Sequence, residues 1–205
     1  MFDRTLFDAP SVEVAPLLLG ALLSHSTANG TVTVRLTEVE AYVGEADPGS
    51  HAFRGQGKRN AVMYGKPGHL YTYFTYGMHT CANVTCSPLG TASAVLLRGA
   101  EVIDGIELAR DRRQTSKTDT DLARGPARLV VALGITLDDG GADLATLPFE
   151  LTLPGHPLRF ATGPRTGVSG AGGSAEYPWR YWLPGERSVS PYRAHVPKRG
   201  PAHPA

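Results

Sequence analysis

Alternating hydrophobic and polar positions predict most of the strands in this chain. Residues 31–43 are rich in Val and Thr and alternate with a period of two, which is typical of a β-strand with one buried face. The segments 69–75 and 80–87 alternate in a similar way and are separated by a short Gly-containing turn, which predicts a β-hairpin. Further strands are predicted at 92–98, 149–153 and 180–183.

A different spacing of apolar residues predicts three helices. Residues 10–24 and 103–113 carry apolar side chains at helical intervals, and Gly125-Pro126 begins a third helix that runs to about residue 133. The segment 44–62 between the first two strands has neither pattern and predicts a long loop, which inside a compact domain is usually functional or mobile.

The order of these elements predicts the fold class. Strands come first, helices follow later, and no regular alternation of strand and helix occurs, so we expect an α+β fold rather than a parallel α/β sheet. We therefore predict one domain over residues 1–194, with a mostly antiparallel curved β-sheet, flanking helices and a protruding β-hairpin. The tail at 195–205 is rich in Pro and Gly and is expected to be disordered.

Charge is unevenly distributed along the chain. The formal net charge is only +1, but residues 51–100 and 151–205 together hold twelve basic and two acidic side chains, a net charge of +10. The remaining residues carry −9. Two interpretations stay open, because the basic residues either scatter over the surface or gather on one face that binds phosphates.

The sequence also bears on the cellular compartment. No run of 18 apolar residues is present, and the N-terminus lacks the apolar region of a secretory signal, so a cytoplasmic protein is expected. The two cysteines, Cys81 and Cys86, lie five residues apart on a predicted strand and would point to opposite faces. We predict that they stay reduced and unpaired.

Two carboxylates lie close together on the first predicted strand. Glu38, Glu40 and Tyr42 share one face, while the apolar residues between them face the core. Carboxylates two residues apart on a strand are separated by roughly 7 Å, a spacing that suits acid/base chemistry at a glycosidic bond. The alternative is a solvated outer face on an edge strand.

Several aromatic rings follow these carboxylates within a short span. Tyr42, Tyr71, Tyr73 and His51 could enclose a flat heterocycle, although ordinary strand packing would also account for Tyr71 and Tyr73. Tyr76 precedes Gly77 at the predicted hairpin tip, where a large ring has little core to enter and could insert between stacked bases. Carboxylates, rings and basic segments together indicate hydrolysis at a nucleic-acid base.

At this point the chain resembles the 3-methyladenine (alkyladenine) DNA glycosylases, over about residues 5–193. The resemblance implies a monofunctional base-excision repair enzyme that flips a damaged purine out of duplex DNA and hydrolyses its N-glycosidic bond. Several separated motifs in the right order are more specific than any one of them. They are Glu38-Val-Glu-Ala-Tyr42, Lys66-Pro-Gly68, Tyr71 to Met78, Val95-Leu-Leu-Arg98, Gly125-Pro126 and Gly163-Pro-Arg-Thr-Gly167.

The resemblance implies roles for three catalytic residues. Glu40 is similar to the general base that activates a water for attack on the sugar C1′. Arg98 is similar to the arginine beside that water. Thr166 occupies a position whose main-chain carbonyl holds the water in the family, so its side chain is expected to matter less.

The resemblance also implies how the flipped base is held. Tyr42 and His51 would lie on one side of the base and Tyr73 on the other, with the main-chain N–H of His51 reading the base edge. Asn83 would obstruct the amino group of normal guanine. Tyr76 would fill the gap left in the duplex, with Leu96 nearby.

The implied substrates are 3-methyladenine, 7-methylguanine, hypoxanthine and ethenoadenine. The expected partner is double-stranded DNA containing damaged purines, with no membrane, no cofactor, no metal and no obligatory protein partner, and the expected enzyme is a monomer without lyase activity. The chain departs from the family pattern at His79 and Thr80, which replace aromatic residues common after the hairpin turn.

Three alternatives stay open at this stage. A metal-dependent hydrolase would use the histidines and cysteines, but no HxxxH or CxxC spacing occurs. A non-catalytic nucleic-acid-binding domain on the same scaffold would not need Glu40 together with Arg98. A nucleosidase acting on free purine nucleosides would not need Tyr76.

Overall fold

The computed structural model describes residues 3–75 and 77–196. Eight strands in this part of the chain form one sheet, and all of their pairings are antiparallel. Three α-helices accompany the sheet. The strands are β1 (Leu22–Thr27), β2 (Gly30–Tyr42), β3 (Leu70–Thr75), β4 (His79–Thr85), β5 (Ala94–Asp104), β6 (Phe149–Thr152), β7 (Ala161–Gly163) and β8 (Arg180–Trp182). The helices are α1 (Ser11–Leu18), α2 (Ile106–Arg112) and α3 (Pro126–Leu133).

The longest strand, β2, lies at the centre of the sheet. Its first half pairs with β1, its second half pairs with β8, and β5 runs along its other edge. The main strand order is β3-β4-β5-β2-β1-β6. The register between β2 and β5 shifts on both sides of Glu38, an irregularity of the β-bulge type that alters the local direction of side chains.

The hydrophobic core lies against one face of this sheet. Val39 and Ala41 of β2 are fully buried in it, together with Leu97 of β5. Helix α1 contacts β2, and α3 contacts β4 and β5. The alternation of β2 therefore directs Val39 and Ala41 to the core, as predicted, and leaves the other face for the polar side chains.

Several sequence predictions are confirmed. The α+β class, the strand predicted at 31–43 and the helix predicted from Gly125-Pro126 to residue 133 all match. Strands β3 and β4 pair as predicted, and both cysteines are free and buried. Tyr76, which follows β3 in sequence, lies outside the described residues, as does most of the tail predicted at 195–205.

The first predicted helix is too long by six residues. Helix α1 ends at Leu18, Leu19 is extended, and Gly20 has a φ of +82° that most side chains avoid. Strand β1 follows, and we did not predict it, because only one of its six residues, Thr27, is β-branched. Its central position between β2 and β6, rather than local propensity, makes this segment a strand.

Two further elements differ from the prediction. Helix α2 begins at Ile106 rather than 103, since β5 continues to Asp104 and pairs there with Thr33 of β2. Strand β7 was not predicted, because its short Ala-Thr-Gly sequence contains neither a large apolar nor an aromatic residue. The described residues include no helix that is long and apolar enough to cross a membrane.

Candidate active site

A pocket of about 400 Å³ opens on the face of the sheet opposite the core. This volume lies in the range of ordinary small-ligand sites. Eight of the nine predicted site residues line it, although they come from six separate segments of the chain. They are Glu40, Tyr42, His51, Tyr73, Asn83, Leu96, Arg98 and Thr166. The ninth, Tyr76, lies outside the described residues.

Glu40 is the buried carboxylate of this pocket. Its Oε1 accepts a hydrogen bond of 2.7 Å from the Thr166 main-chain N–H, and its Oε2 accepts one of 2.9 Å from the Tyr42 hydroxyl. The Arg98 Nε lies 3.5 Å from Oε1. The alternative of a solvated edge-strand face is therefore wrong, because the side chain is 0% exposed and β2 is central.

Glu38 has a different environment and does not line the pocket. Its Oε1 accepts hydrogen bonds from the Nε atoms of Arg98 at 3.0 Å and Arg180 at 2.6 Å. Ser190 donates to it twice, from its hydroxyl at 3.0 Å and from its main-chain N–H at 2.6 Å. A buried carboxylate that accepts four hydrogen bonds in this way stabilises the fold rather than serving as a second acid/base group.

Arg98 lies between the two carboxylates. Burial alone would lower the pKa of its guanidinium, but Glu40 and Glu38 outweigh burial and raise the pKa, so the side chain stays charged. Its Nε donates to Glu38 and to the Ser190 hydroxyl, at 3.0 and 3.2 Å. Its terminal nitrogens make no hydrogen bond with any described residue, which leaves them free to contact a ligand in the pocket.

Two of the predicted base-binding rings, His51 and Tyr73, form one cluster with Tyr71. The rings of Tyr71 and Tyr73 stack with centroids 5.6 Å apart, and His51 meets Tyr73 edge-on at 4.5 Å. That separation leaves no room for a third flat ring between His51 and Tyr73, so base entry requires one of them to move. Desolvation by the pocket walls and the nearby Arg59 lower the pKa of His51, which keeps the ring neutral at pH 7.

Asn83 and Leu96 form the floor of the pocket. They face each other across β4 and β5, and Leu96 is also in register with Glu40. The Asn83 amide donates a 3.2 Å hydrogen bond to the Tyr71 main-chain oxygen, which fixes its orientation. Leu96 is only 3% exposed, so its position fits a pocket floor better than insertion into DNA.

Sequence reasoning missed several residues that hold this site together. Arg165 is fully buried and its guanidinium carbon lies 4.5 Å above the centre of the Tyr42 ring. It forms an ion pair with Asp47, and neither was proposed as a functional residue. The only signal was the position of Arg165 inside the Gly163–Gly167 motif, because its partner lies 118 residues away in sequence.

Thr166 provides a stability prediction. Its hydroxyl is the one buried side-chain N or O atom in the described chain without a hydrogen-bond partner. Such a group costs about 1–3 kcal/mol, so Thr166→Val should raise the free energy of unfolding by about 1 kcal/mol in urea denaturation. The matched control is Thr85→Val. The Thr85 hydroxyl donates hydrogen bonds to the main-chain oxygens of Lys66 and His69, so its loss should destabilise the protein. Equal destabilisation by both variants would contradict this prediction.

The histidines considered as metal ligands are divided between the sheet and the pocket. His25, for example, stacks on Phe149 with ring centroids 4.1 Å apart, in the sheet rather than in the pocket. Across residues 3–75 and 77–196, no group of three or more His, Cys, Asp or Glu side chains is arranged to hold a metal ion.

Comparison with known proteins identifies the family. The model of the methylpurine-DNA glycosylase family matches residues 5–187. A protein of Leifsonia xyli named "Putative 3-methyladenine DNA glycosylase" is 64% identical over 202 residues, 96% of this chain and 95% of its own. Two further relatives carry the same name. The protein of Streptomyces avermitilis is 52% identical over 201 residues, which cover 96% of this chain and 93% of the relative. The protein of Nocardia farcinica is 51% identical over 200 residues, which cover 93% of this chain and 90% of the relative. The chain therefore belongs to the methylpurine-DNA glycosylase family.

Proposed function

We propose that this protein is a base-excision repair DNA glycosylase that flips damaged purines out of duplex DNA and hydrolyses their N-glycosidic bond. The substrate class comprises 3-methyladenine, 7-methylguanine, hypoxanthine and ethenoadenine. The observation that carries the proposal is a fully buried carboxylate, Glu40, in the same pocket as a charged arginine and a set of aromatic rings.

Glu40 is the proposed general base. Its fixed carboxylate takes a proton from a water molecule as that water attacks the sugar C1′, and its negative charge stabilises the positive charge that develops on the sugar. Arg98, with free terminal N–H groups, helps to hold the water and the target nucleotide. The Thr166 main chain completes this set, since its N–H already orients the carboxylate.

The base itself is held by aromatic stacking. Tyr42 and His51 are proposed to cover one side of the purine and Tyr73 the other, while Asn83 excludes the amino group of normal guanine. A base that is positively charged or electron-poor stacks better on such rings, and Tyr76 and stacking offset the cost of flipping, a few kcal/mol. No lysine lines the described pocket, and we therefore propose a monofunctional enzyme without lyase activity.

An excision assay tests this function directly. Duplexes that each contain one lesion of the proposed class are incubated with excess enzyme, and abasic sites are then cleaved with hot alkali. Strand cleavage should appear with at least one alkylated or deaminated purine and not with an undamaged duplex. Release of no base from any of these duplexes would overturn the proposal in favour of a non-catalytic binding domain.

Salt dependence tests the proposed DNA surface. If the basic segments 51–100 and 151–205 contact about four or five phosphates, a plot of log K against log salt concentration should have a slope of about −4. Fluorescence anisotropy of a labelled lesion duplex measures this slope between 50 and 200 mM salt, roughly the range in which such slopes are defined. A flat profile would show that these charges do not form one DNA-binding face.

A further inference from the structure

We propose that the buried ion pair of Arg165 and Asp47 is a positioning device that holds the two walls of the pocket around Glu40. This inference rests on the proposed function and concerns residues that do not themselves touch the reacting atoms. One wall is the loop after β2, which contains Asp47 and leads to His51. The other is the segment that contains Arg165 and Thr166.

The hydrogen bonds of Arg165 are complete. Its Nη1 and Nη2 bind the two oxygens of Asp47 at 2.5 and 2.6 Å, and neither side chain is exposed to solvent. Nη1 also donates to the Ala41 main-chain oxygen at 2.9 Å. Nε and Nη2 donate to the Gly172 main-chain oxygen at 3.2 and 2.7 Å. Five hydrogen bonds match the five N–H groups of a guanidinium, so no donor is left over.

These bonds join three segments that all contribute to the pocket. Ala41 lies between Glu40 and Tyr42 on β2, and the guanidinium also covers the Tyr42 ring. Asp47 in turn accepts hydrogen bonds from the main-chain N–H groups of Val43, at 3.2 Å, and Gly49, at 2.8 Å, which fixes the loop on both sides. The ion pair therefore ties the loop to the strand that carries the proposed base.

The link to Glu40 runs through the next residue in the chain. Thr166 follows Arg165 directly, and its main-chain N–H donates the 2.7 Å hydrogen bond to Glu40. A guanidinium that cannot shift keeps this N–H aimed at the carboxylate. Pairing of the Arg165 fork with Asp47 is planar and bidentate, a geometry that a lysine cannot reproduce.

Two closely packed glycines leave no space for a side chain beside the ion pair. A Cβ on Gly49 would lie 2.5 Å from Arg165 Nη2, and a Cβ on Gly172 would lie 2.4 Å from the Gly49 main-chain nitrogen. The two walls therefore touch each other at Gly49 and Gly172, directly beside the ion pair. A single methyl group at Gly49 offers a mild way to displace the guanidinium without removing either charge.

Single-turnover kinetics of the full chain test this proposal. Asp47→Asn and Arg165→Lys should each lower the excision rate at saturating enzyme by at least tenfold on a hypoxanthine duplex. Under these conditions the rate does not depend on the fraction of enzyme that is folded, so a purely structural role would leave it unchanged. If Arg165 supplied only a positive charge, Arg165→Lys would keep the wild-type excision rate.

Two further variants keep the test decisive. Asp143→Asn alters another Arg–Asp ion pair, with Arg4, which lies outside the pocket, and should keep the wild-type rate. If the Asp47 and Arg165 variants fail to fold, Gly49→Ala should still slow excision several-fold. Wild-type single-turnover rates in folded Asp47→Asn or Gly49→Ala would overturn the positioning role, whereas a wild-type rate in Glu40→Gln would overturn the proposed mechanism instead.

Discussion

Replacing Glu40 with Gln is expected to slow excision at least a hundredfold while leaving binding to lesion DNA nearly intact. Gln has almost the same shape and still accepts the hydrogen bond from the Thr166 N–H, but it cannot take a proton from water. A positioned general base typically contributes about 10²–10⁴ in rate, which sets the size of the expected loss. Single-turnover time courses on a hypoxanthine duplex measure the rate, and anisotropy measures the binding.

The control for this variant is Glu13→Gln, an exposed carboxylate on α1 that does not line the pocket. It should excise at the wild-type rate within about twofold, as expected for a surface change away from the site. A near-normal rate in Glu40→Gln would remove the general-base assignment, even if the protein proved to be an active glycosylase.

Replacing Glu38 with Gln should destabilise the protein by about 3–5 kcal/mol, the usual cost of removing one partner from a buried ion pair. The carboxylate is 0% exposed and is bound by Arg98 and Arg180, which would be left in the interior without their counter-charge. Total stabilities are only about 5–15 kcal/mol, so such a loss is large. Urea denaturation monitored by tryptophan fluorescence gives the free energy of unfolding.

Glu101→Gln provides the matched comparison. Glu101 pairs with Arg35 on the same two strands, β5 and β2, but its side chain is 47% exposed. Exposed pairs contribute about 0–1 kcal/mol, and Glu101→Gln should stay within that range. If Glu38→Gln cost no more than Glu101→Gln, the view of Glu38 as a structural ion-pair centre would fail.

Local sequence patterns correctly predicted the elements that carry a strong strand or helix signal of their own. The Val- and Thr-rich alternation of β2 and the Gly-Pro start of α3 placed these elements within about one residue. The motif residues also came together in one pocket, because β5 pairs with β2 on one side and with β4 on the other and so brings the three strands together. Strand β1 escaped prediction because its polar sequence becomes a strand only through pairing on both sides.

Long-range pairing explains what the sequence could not predict at the site. Glu38 and Glu40 have the same residue type and the same strand face, yet one is enclosed by Arg98, Arg180 and Ser190 and the other opens on the pocket. Glu38 meets Arg180 across 142 residues of sequence, and no local pattern records that distance. The same reason hid the Asp47–Arg165 ion pair.

The central place of β2 has a consequence for how the site fluctuates. Glu38, Val39 and Glu40 pair with β5 on one side and with β8 on the other, so the backbone under the reactive carboxylate opens only when a large part of the sheet separates. Amide hydrogen exchange there should be among the slowest in the protein. The described loop with His51 contains only short 3₁₀ turns, so its amides should exchange faster, and we expect the pocket rim to move while the strand under Glu40 stays closed.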